Sequence, residues 1–286
     1  MPPFRRIAIV GLGLIGGSVG LAIRRRFRSA RVVGIDRPDV LRRASQRRAV
    51  HEGTPSLARG LQSADLVILA LPVGSILKLL PRVARLLTPG AVVTDVGSTK
   101  HAIVAAARRN GLSASFVGGH PMAGSELSGI ENASGALFTG APWILCASSA
   151  SAARSPAGRV SALVRRLGAR PAFLSSQSHD EAMARLSHLP QLISVALVNA
   201  AISSSGRHLH LSGPAFRQMS RLATSPPSVW SGILKTNRRA VARAIDDFIR
   251  ELRRLRASLE RGPAARFRRA ARARRRLRTP AGGRSS

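Results

Sequence analysis

Tyrosine is absent from the 286 residues, and aromatic side chains make up only 3% of them. With no recognisable nucleic-acid motif beside that shortage, nucleic-acid binding is not the expected primary function. Cys146 is the sole cysteine, so neither an intrachain disulfide nor a cysteine-based metal site can form, and no metal is expected. No uncharged apolar run reaches the roughly eighteen residues of a membrane span. Residues 1–6 lead straight into an apolar segment, without the pattern of a signal peptide. The expectation is a soluble cytoplasmic protein with no membrane partner.

Acidic residues are scarce too: Asp+Glu is 13 against Lys+Arg 46, a net charge of +33. Lysine is almost missing, with Lys78, Lys100 and Lys235 the only examples. From Arg250 onward fourteen arginines face only Glu251 and Glu260, yet the excess runs through the whole chain. Such a charge can attract nucleic acid or an anionic surface. A compositional bias towards Arg and Ala, together with attraction for an acidic substrate and cofactor, accounts for it without either.

What is present is an alternation of short apolar runs and helical patterns. Arg5–Val10, Arg31–Asp36, Ala64–Leu71, Ala91–Val96, Ser115–Gly119, Pro142–Ala147 and Pro171–Leu174 read as strands. Helical patterns fill the gaps at Val73–Leu87, Lys100–Asn110 and Pro156–Leu167. That order predicts a parallel sheet covered on both faces, a doubly wound α/β fold. After Ser175 the period changes. Ser178–Ser205 reads as one long helix kinked at Pro190, Gly213–Ala223 as a shorter one, and Pro226–Leu259 as another long one. The expected organisation is a dinucleotide-binding Rossmann domain over 1–175, an all-α substrate and dimerisation domain over 176–261, and an Arg-rich disordered tail over 262–286.

Gly11-x-Gly13-x-x-Gly16 lies directly between a strand and a helix. In that context the first Gly makes the tight turn, the second lets the backbone approach a pyrophosphate, and the third lets helix and strand pack. The helix start then offers free N–H groups to the phosphates. Asp36 ends the second strand twenty residues beyond Gly16. A carboxylate there accepts bonds from a ribose 2′-OH and repels a 2′-phosphate, which favours NAD over NADP. Arg37 next to it is the residue that can oppose that preference. Leu14 and Ile15 within the glycine loop, and Leu71 and Pro72 at the end of the neighbouring strand, are counted with the cofactor site.

His120, between a strand and Pro121, is expected at the carboxyl end of the sheet, where ligands bind in open α/β folds. An imidazole there can take a hydroxyl proton as hydride leaves for a nicotinamide. Ser98 can hydrogen-bond the same hydroxyl or the histidine. Arg221 suits a substrate carboxylate, which a guanidinium fork can grip at two points.

The phrases VGLGLIGGSVGLAIR, DVGSTK, GGHPMAGSE, SHLPQLIS and RLA…P…W occur in one order between Arg5 and Glu251. On them the chain resembles the prephenate and arogenate (cyclohexadienyl) dehydrogenases, with GGHPMAG the most specific. The resemblance implies oxidative decarboxylation of a cyclohexadienol to an aromatic ring in tyrosine biosynthesis. It implies His120 as general base, Ser98 as the hydroxyl-binding serine, and Arg221 as the substrate's carboxylate partner. It further implies His188, Trp230 and Glu126 around the substrate, and a homodimer whose helices interlock. Arg207–Pro214 lacks the glycine cluster associated with that family, so substrate preference and tyrosine feedback stay open. A β-hydroxyacid dehydrogenase shares the layout but relies on a lysine of the long helix, and Ser178–Ser205 contains none. His179, His208 and His210 fall in no motif and receive no role.

Overall fold

The computed structural model describes residues 3–124, 127–147, 153–260 and 262–278. Eight strands form one sheet: β1 (Arg6–Val10), β2 (Arg31–Ile35), β3 (Glu52–Thr54), β4 (Leu66–Leu69), β5 (Val92–Asp95), β6 (Phe116–Pro121), β7 (Pro142–Cys146) and β8 (Arg170–Phe173). Their spatial order is β3-β2-β1-β4-β5-β6-β7-β8. The inner strands are mostly apolar because both faces are covered, β4 at every position, and successive side chains go to opposite sides. Ile7, Ile9, Leu66 and Ile68 enter the core shared with α1 (Leu14–Arg26) and α6 (Pro156–Arg166). Ala8, Val10, Val67 and Leu69 enter the other, shared with α4 (Val73–Leu86) and α5 (His101–Arg109). The doubly wound α/β fold is as expected, with short helices α2 (Pro38–Gln46) and α3 (Leu57–Leu61) and strand β3 added at its edge.

The expected all-parallel sheet needs one correction: β7 runs antiparallel to β6, pairing His120 with Ile144. A parallel return needs a crossover, usually a helix. The described residues between β6 and β7 supply only the 3-10 turn Ile130–Asn132. A genuine crossover, α6, then makes β8 parallel to β7. The same pairing prolongs β6 through Pro121, so His120 stands on the strand rather than after it.

The helical stretch also departs from its periodicity. Ser175 caps α7 (Ser176–Met183) by accepting from Ser178 N at 3.0 Å. A π-helical turn, Ala184–His188, leads into α8 (Leu189–Ser205). Pro190 causes no separate break, because it falls in the first turn of α8, where its missing N–H costs little. After α8 come a 3-10 turn, Gly206–Leu211, then α9 (Pro214–Ser220) and a further turn, Arg221–Thr224. The single helix expected over 226–259 is two, α10 (Pro227–Thr236) and α11 (Arg238–Ala257). Asn237, at φ −120°, breaks it and donates its amide to Asp180 O at 2.7 Å.

By packing, the chain divides into Met1–Val241 and Ala242–Ser286. Within the first unit the change from sheet to helices near 175 is bridged by α7, whose Asp180 accepts from the N–H groups of Lys100 and His101 at the start of α5. In the second unit the stretch expected to be disordered from 262 carries α12 (Ala264–Arg278). Ala and Arg are both strong helix formers, and Arg266 Nη1 meets Glu251 Oε1 at 2.6 Å. Residues 279–286 lie outside the described ones.

Candidate active site

The glycine loop leaves β1 and enters α1 without an acidic residue or a side-chain cap in the first turn of that helix. Its N–H groups therefore remain available to a phosphate. A Cβ on Gly11, at φ +92°, would strike the carbonyl oxygen of Ala70, and one on Gly16 would strike that of Gly11. At Gly13 a Cβ would find no atom within 4 Å. Two glycines thus let backbone approach backbone, and the third leaves space for a ligand. Asp36 Oδ2 accepts from Leu12 N at 2.7 Å and Oδ1 from Arg37 N at 2.7 Å. The cradle fits a dinucleotide. Leu14 and Ile15 open α1 half-buried beside it, and Leu71 and Pro72 follow β4 on the same side of the sheet. The Arg37 guanidinium lies 3.8 Å from Asp39 and is largely exposed.

His120 stands four strands from β2 in the same sheet, near the carboxyl end of β5. The residue before it is anchored by a buried ion pair between Lys100 Nζ and Asp95 Oδ2, both side chains fully buried. Asp95 Oδ2 also accepts from Gly97 N at 2.8 Å, and Oδ1 from Gly119 N at 3.1 Å. A Cβ on Gly119 would press into the Asp95 carbonyl, so glycine there lets β6 close on the end of β5.

Three histidines converge around that point. His120 Nδ1 lies 2.9 Å from His179 Nε2. His179 Nδ1 lies 2.8 Å from Asp180 Oδ1. Burial holds His120 well below the usual imidazole range, with His179, Lys100 and His188 adding to the effect. It is therefore neutral, the state a proton acceptor needs. Burial also pushes His188 down to about 4, against the pull of Asp180. Burial alone would raise the Asp180 carboxyl, but bonds from His179 and from the N–H groups of Lys100 and His101 hold it below its usual value.

His188 ends the π-helical turn and is buried, with Nδ1 at 3.3 Å from Asn237 Nδ2. Its Nε2 has no hydrogen-bond partner among the described residues. Trp230 on α10 stands edge-on to it, ring centroids 6.0 Å apart. Ser98, half-buried, lies in the loop between β5 and α5, and its backbone is close enough to influence the His188 ring. Arg221 is exposed at the start of its 3-10 turn. The next residue, Leu222, accepts from Gln191 Nε2 at 2.8 Å, which ties that turn to α8 one turn beyond His188. Glu126 lies outside the described residues. Sequence reasoning missed His179, Asp180 and Asn237. The adjacent His–Asp pair just after a Ser cap, in a chain so poor in acids, was the available signal.

Residues 19–171 match the family described as "Prephenate dehydrogenase, nucleotide-binding domain", and residues 175–272 match "Prephenate dehydrogenase, dimerization domain". A prephenate dehydrogenase of Lactococcus lactis subsp. cremoris is 33% identical over 254 residues, 87% of this chain and 69% of that one. Among solved structures, prephenate dehydrogenase from Aquifex aeolicus in complex with hydroxyphenyl propionate and NAD+ superposes with a TM-score of 0.86 at 29% identity, covering 96% of this chain and 98% of that one. Arogenate dehydrogenase from Synechocystis gives 0.79 at 29% identity, covering 96% and 100%.

Proposed function

Because the chain belongs to the prephenate dehydrogenase family, we propose that it is an NAD-dependent oxidoreductase that decarboxylates prephenate to 4-hydroxyphenylpyruvate, arogenate to tyrosine, or both. The observation that carries the reading is His120: a buried imidazole held below its usual range and bonded to His179, within electrostatic reach of His188, whose buried Nε2 has no partner among the described residues. When bound on the glycine loop, NAD supplies the acceptor for the hydride.

The chain's own residues do the rest. His120 takes the ring hydroxyl proton. As that O–H bond breaks, its electrons form the carbonyl, the C–H bond leaves as hydride, and loss of CO₂ then makes the ring aromatic. Aromatisation is strongly downhill, so orientation and one proton transfer are what the protein must provide. Ser98 and His188 orient the hydroxyl side of the ring, Trp230 walls it, and Arg221 pairs with a carboxylate. Glu126, outside the described residues, is kept as a substrate-binding candidate on its motif alone. Gly11, Gly13, Leu14, Ile15, Gly16, Leu71 and Pro72 hold the dinucleotide, and Asp36 selects the free ribose hydroxyl over a 2′-phosphate.

The segment Ser176–Leu211 is long and apolar enough, by length and composition, to cross a membrane. It also carries His179, Asp180 and His188, and residues 175–272 match a dimerisation domain. We assign its outward apolar face to a second copy, in a soluble cytoplasmic homodimer. The deciding assay follows reduced nicotinamide with prephenate and with arogenate, using NAD and then NADP. Turnover of either substrate with NAD is expected, and failure with both substrates and both cofactors would refute the reading.

A further inference from the structure

His179 and Asp180 continue the line of His120 inward. His120 Nδ1 meets His179 Nε2 at 2.9 Å, and His179 Nδ1 meets Asp180 Oδ1 at 2.8 Å. Asp180 in turn accepts the backbone N–H of Lys100 at 2.7 Å and of His101 at 3.0 Å, at the start of α5. Those partners fix the first proton in the line, and a neutral His179 fixes the next. A backbone N–H can only donate, and a carboxylate at a helix N-terminus stays ionised. His179 therefore carries its proton on Nδ1 and donates it to Asp180. In the neutral ring its Nε2 is bare and accepts, which puts the proton of His120 on Nδ1 and the lone pair on Nε2. The opposite tautomer of His120 would set two lone pairs against each other.

We propose that His179 and Asp180 are positioning residues for the proton transfer, holding His120 with Nε2 free as base and taking up the charge when the proton arrives. The inference rests on the reading of His120 as the base. The substrate O–H bond breaks as His120 Nε2–H forms. The His120 Nδ1–H bond breaks as His179 Nε2–H forms. His120 ends neutral in its other tautomer, and the positive charge rests on His179 against Asp180. The surroundings favour that placement. Lys100, paired to Asp95, and His188 on the π-helical turn both work against a charge on His120 itself, and on the neighbouring β7 the Cys146 thiol, opposite Gly118, is pushed up to about 12 by burial. Among the described residues, Asp180 on α7 is the anion that the line from His120 reaches through one ring, and a buried cation needs such a partner.

The test uses the full-length enzyme. His179→Gln can still accept from His120 but cannot carry a proton, so kcat should fall about 10²-fold, with KM for substrate and for NAD unchanged. The solvent-isotope proton inventory should change from bowed to linear, as two protons in flight become one. Asp180→Asn keeps the acceptor oxygen for His179 but removes the counter-charge. Its kcat should fall and the acid limb of kcat/KM should move to lower pH. Loosened packing would lower the folded fraction without moving that limb. A folded His179→Gln enzyme within about twofold of the unmodified kcat, or an unmoved limb in Asp180→Asn, overturns the proposal. Nitrogen-15 NMR of histidine-labelled, unmodified protein tests it without a variant, since a proton on His120 Nε2 at neutral pH overturns it outright. An inactive His120→Asn beside an unaffected His179→Gln refutes this inference alone, whereas an active His120→Asn refutes the base assignment beneath it.

Discussion

The sheet and α8 bury opposite kinds of residue. In β1 and β4 the buried positions are Ile7, Ala8, Ile9, Val10, Leu66, Val67, Ile68 and Leu69. In α8 they are Gln191 and Ser194, while Ile202 is 52% exposed, and Leu186 just before the helix 74%. One region is organised by apolar burial within a single chain. The other turns its polar side inward, towards the turn that carries Arg221, and its apolar side outward. A helix with that polarity completes its hydrophobic burial against something beyond its own chain. The sheet supplies stability and the glycine-loop cradle, and the helices match a dimerisation domain and carry the proposed substrate contacts.

The largest expected effect tests the one group that both regions hold in common. His120→Asn should fold and bind NAD yet lose about 10² to 10⁴ in kcat, because the proton acceptor is gone. Near-normal turnover would remove His120 from the reaction. Next is a matched pair of truncations. Ile68→Ala, in the sheet, should cost about 2–5 kcal/mol in denaturant unfolding. Ile202→Ala should cost within about 0.5 kcal/mol in dilute, monomeric protein, and should instead weaken the dimer seen by light scattering. Equal unfolding costs would erase the contrast.

Arg221→Ala, on the helical side, should raise KM for substrate by about tenfold or more while kcat changes little. Carboxylate binding is shared by ground and transition states, so a loss confined to kcat would contradict the role. Acidification probes the junction. His120 and His188 titrate lower in the folded protein than the roughly 6.5 of an unfolded histidine. Below that pH the unfolded chain binds protons that the native state refuses. Stability should therefore fall as pH drops through 6.5, for His188 until about 4, with a slope approaching 1.4 kcal/mol per pH unit per histidine. Melting temperatures that do not decline between about pH 7 and pH 5 would count against both buried neutral rings. The smallest effect belongs to the cofactor edge. Asp36→Ser should narrow the preference for NAD over NADP by roughly tenfold. Equal kcat/KM for the two cofactors in the unmodified enzyme would show that Arg37 overrides the carboxylate.

These regions also differed in how far the sequence exposed them. The inner strands were readable because each is a short apolar run ended by Gly, Pro or Asp, and buried strands tolerate little else. The direction of β7 was not, since periodicity carries no information about which way a strand runs. Asn237 hid its break because the apolar stripe continues past it, and the reason for the break, its bond to Asp180 O, lies 57 residues away in sequence. His120, Ser98 and His188 stood out through their motifs. His179 and Asp180 did not, because their meaning is tertiary: nothing in the string SQSHDEA says that its carboxylate closes the start of α5. In α12, charge density masked a helix that Ala and Arg propensities favour.

Asp36 spends both of its oxygens on the backbone, one on Leu12 N inside the glycine loop and one on Arg37 N after β2. The group proposed to sense the ribose is thus also a fastener of the glycine loop. The parts proposed to read the two ends of the adenosine diphosphate therefore cannot drift separately. A lineage moving from one dinucleotide to the other could not simply trade this carboxylate for a neutral residue. It would first have to furnish a different tether for Leu12, or accept a loosened grip on every dinucleotide during the passage.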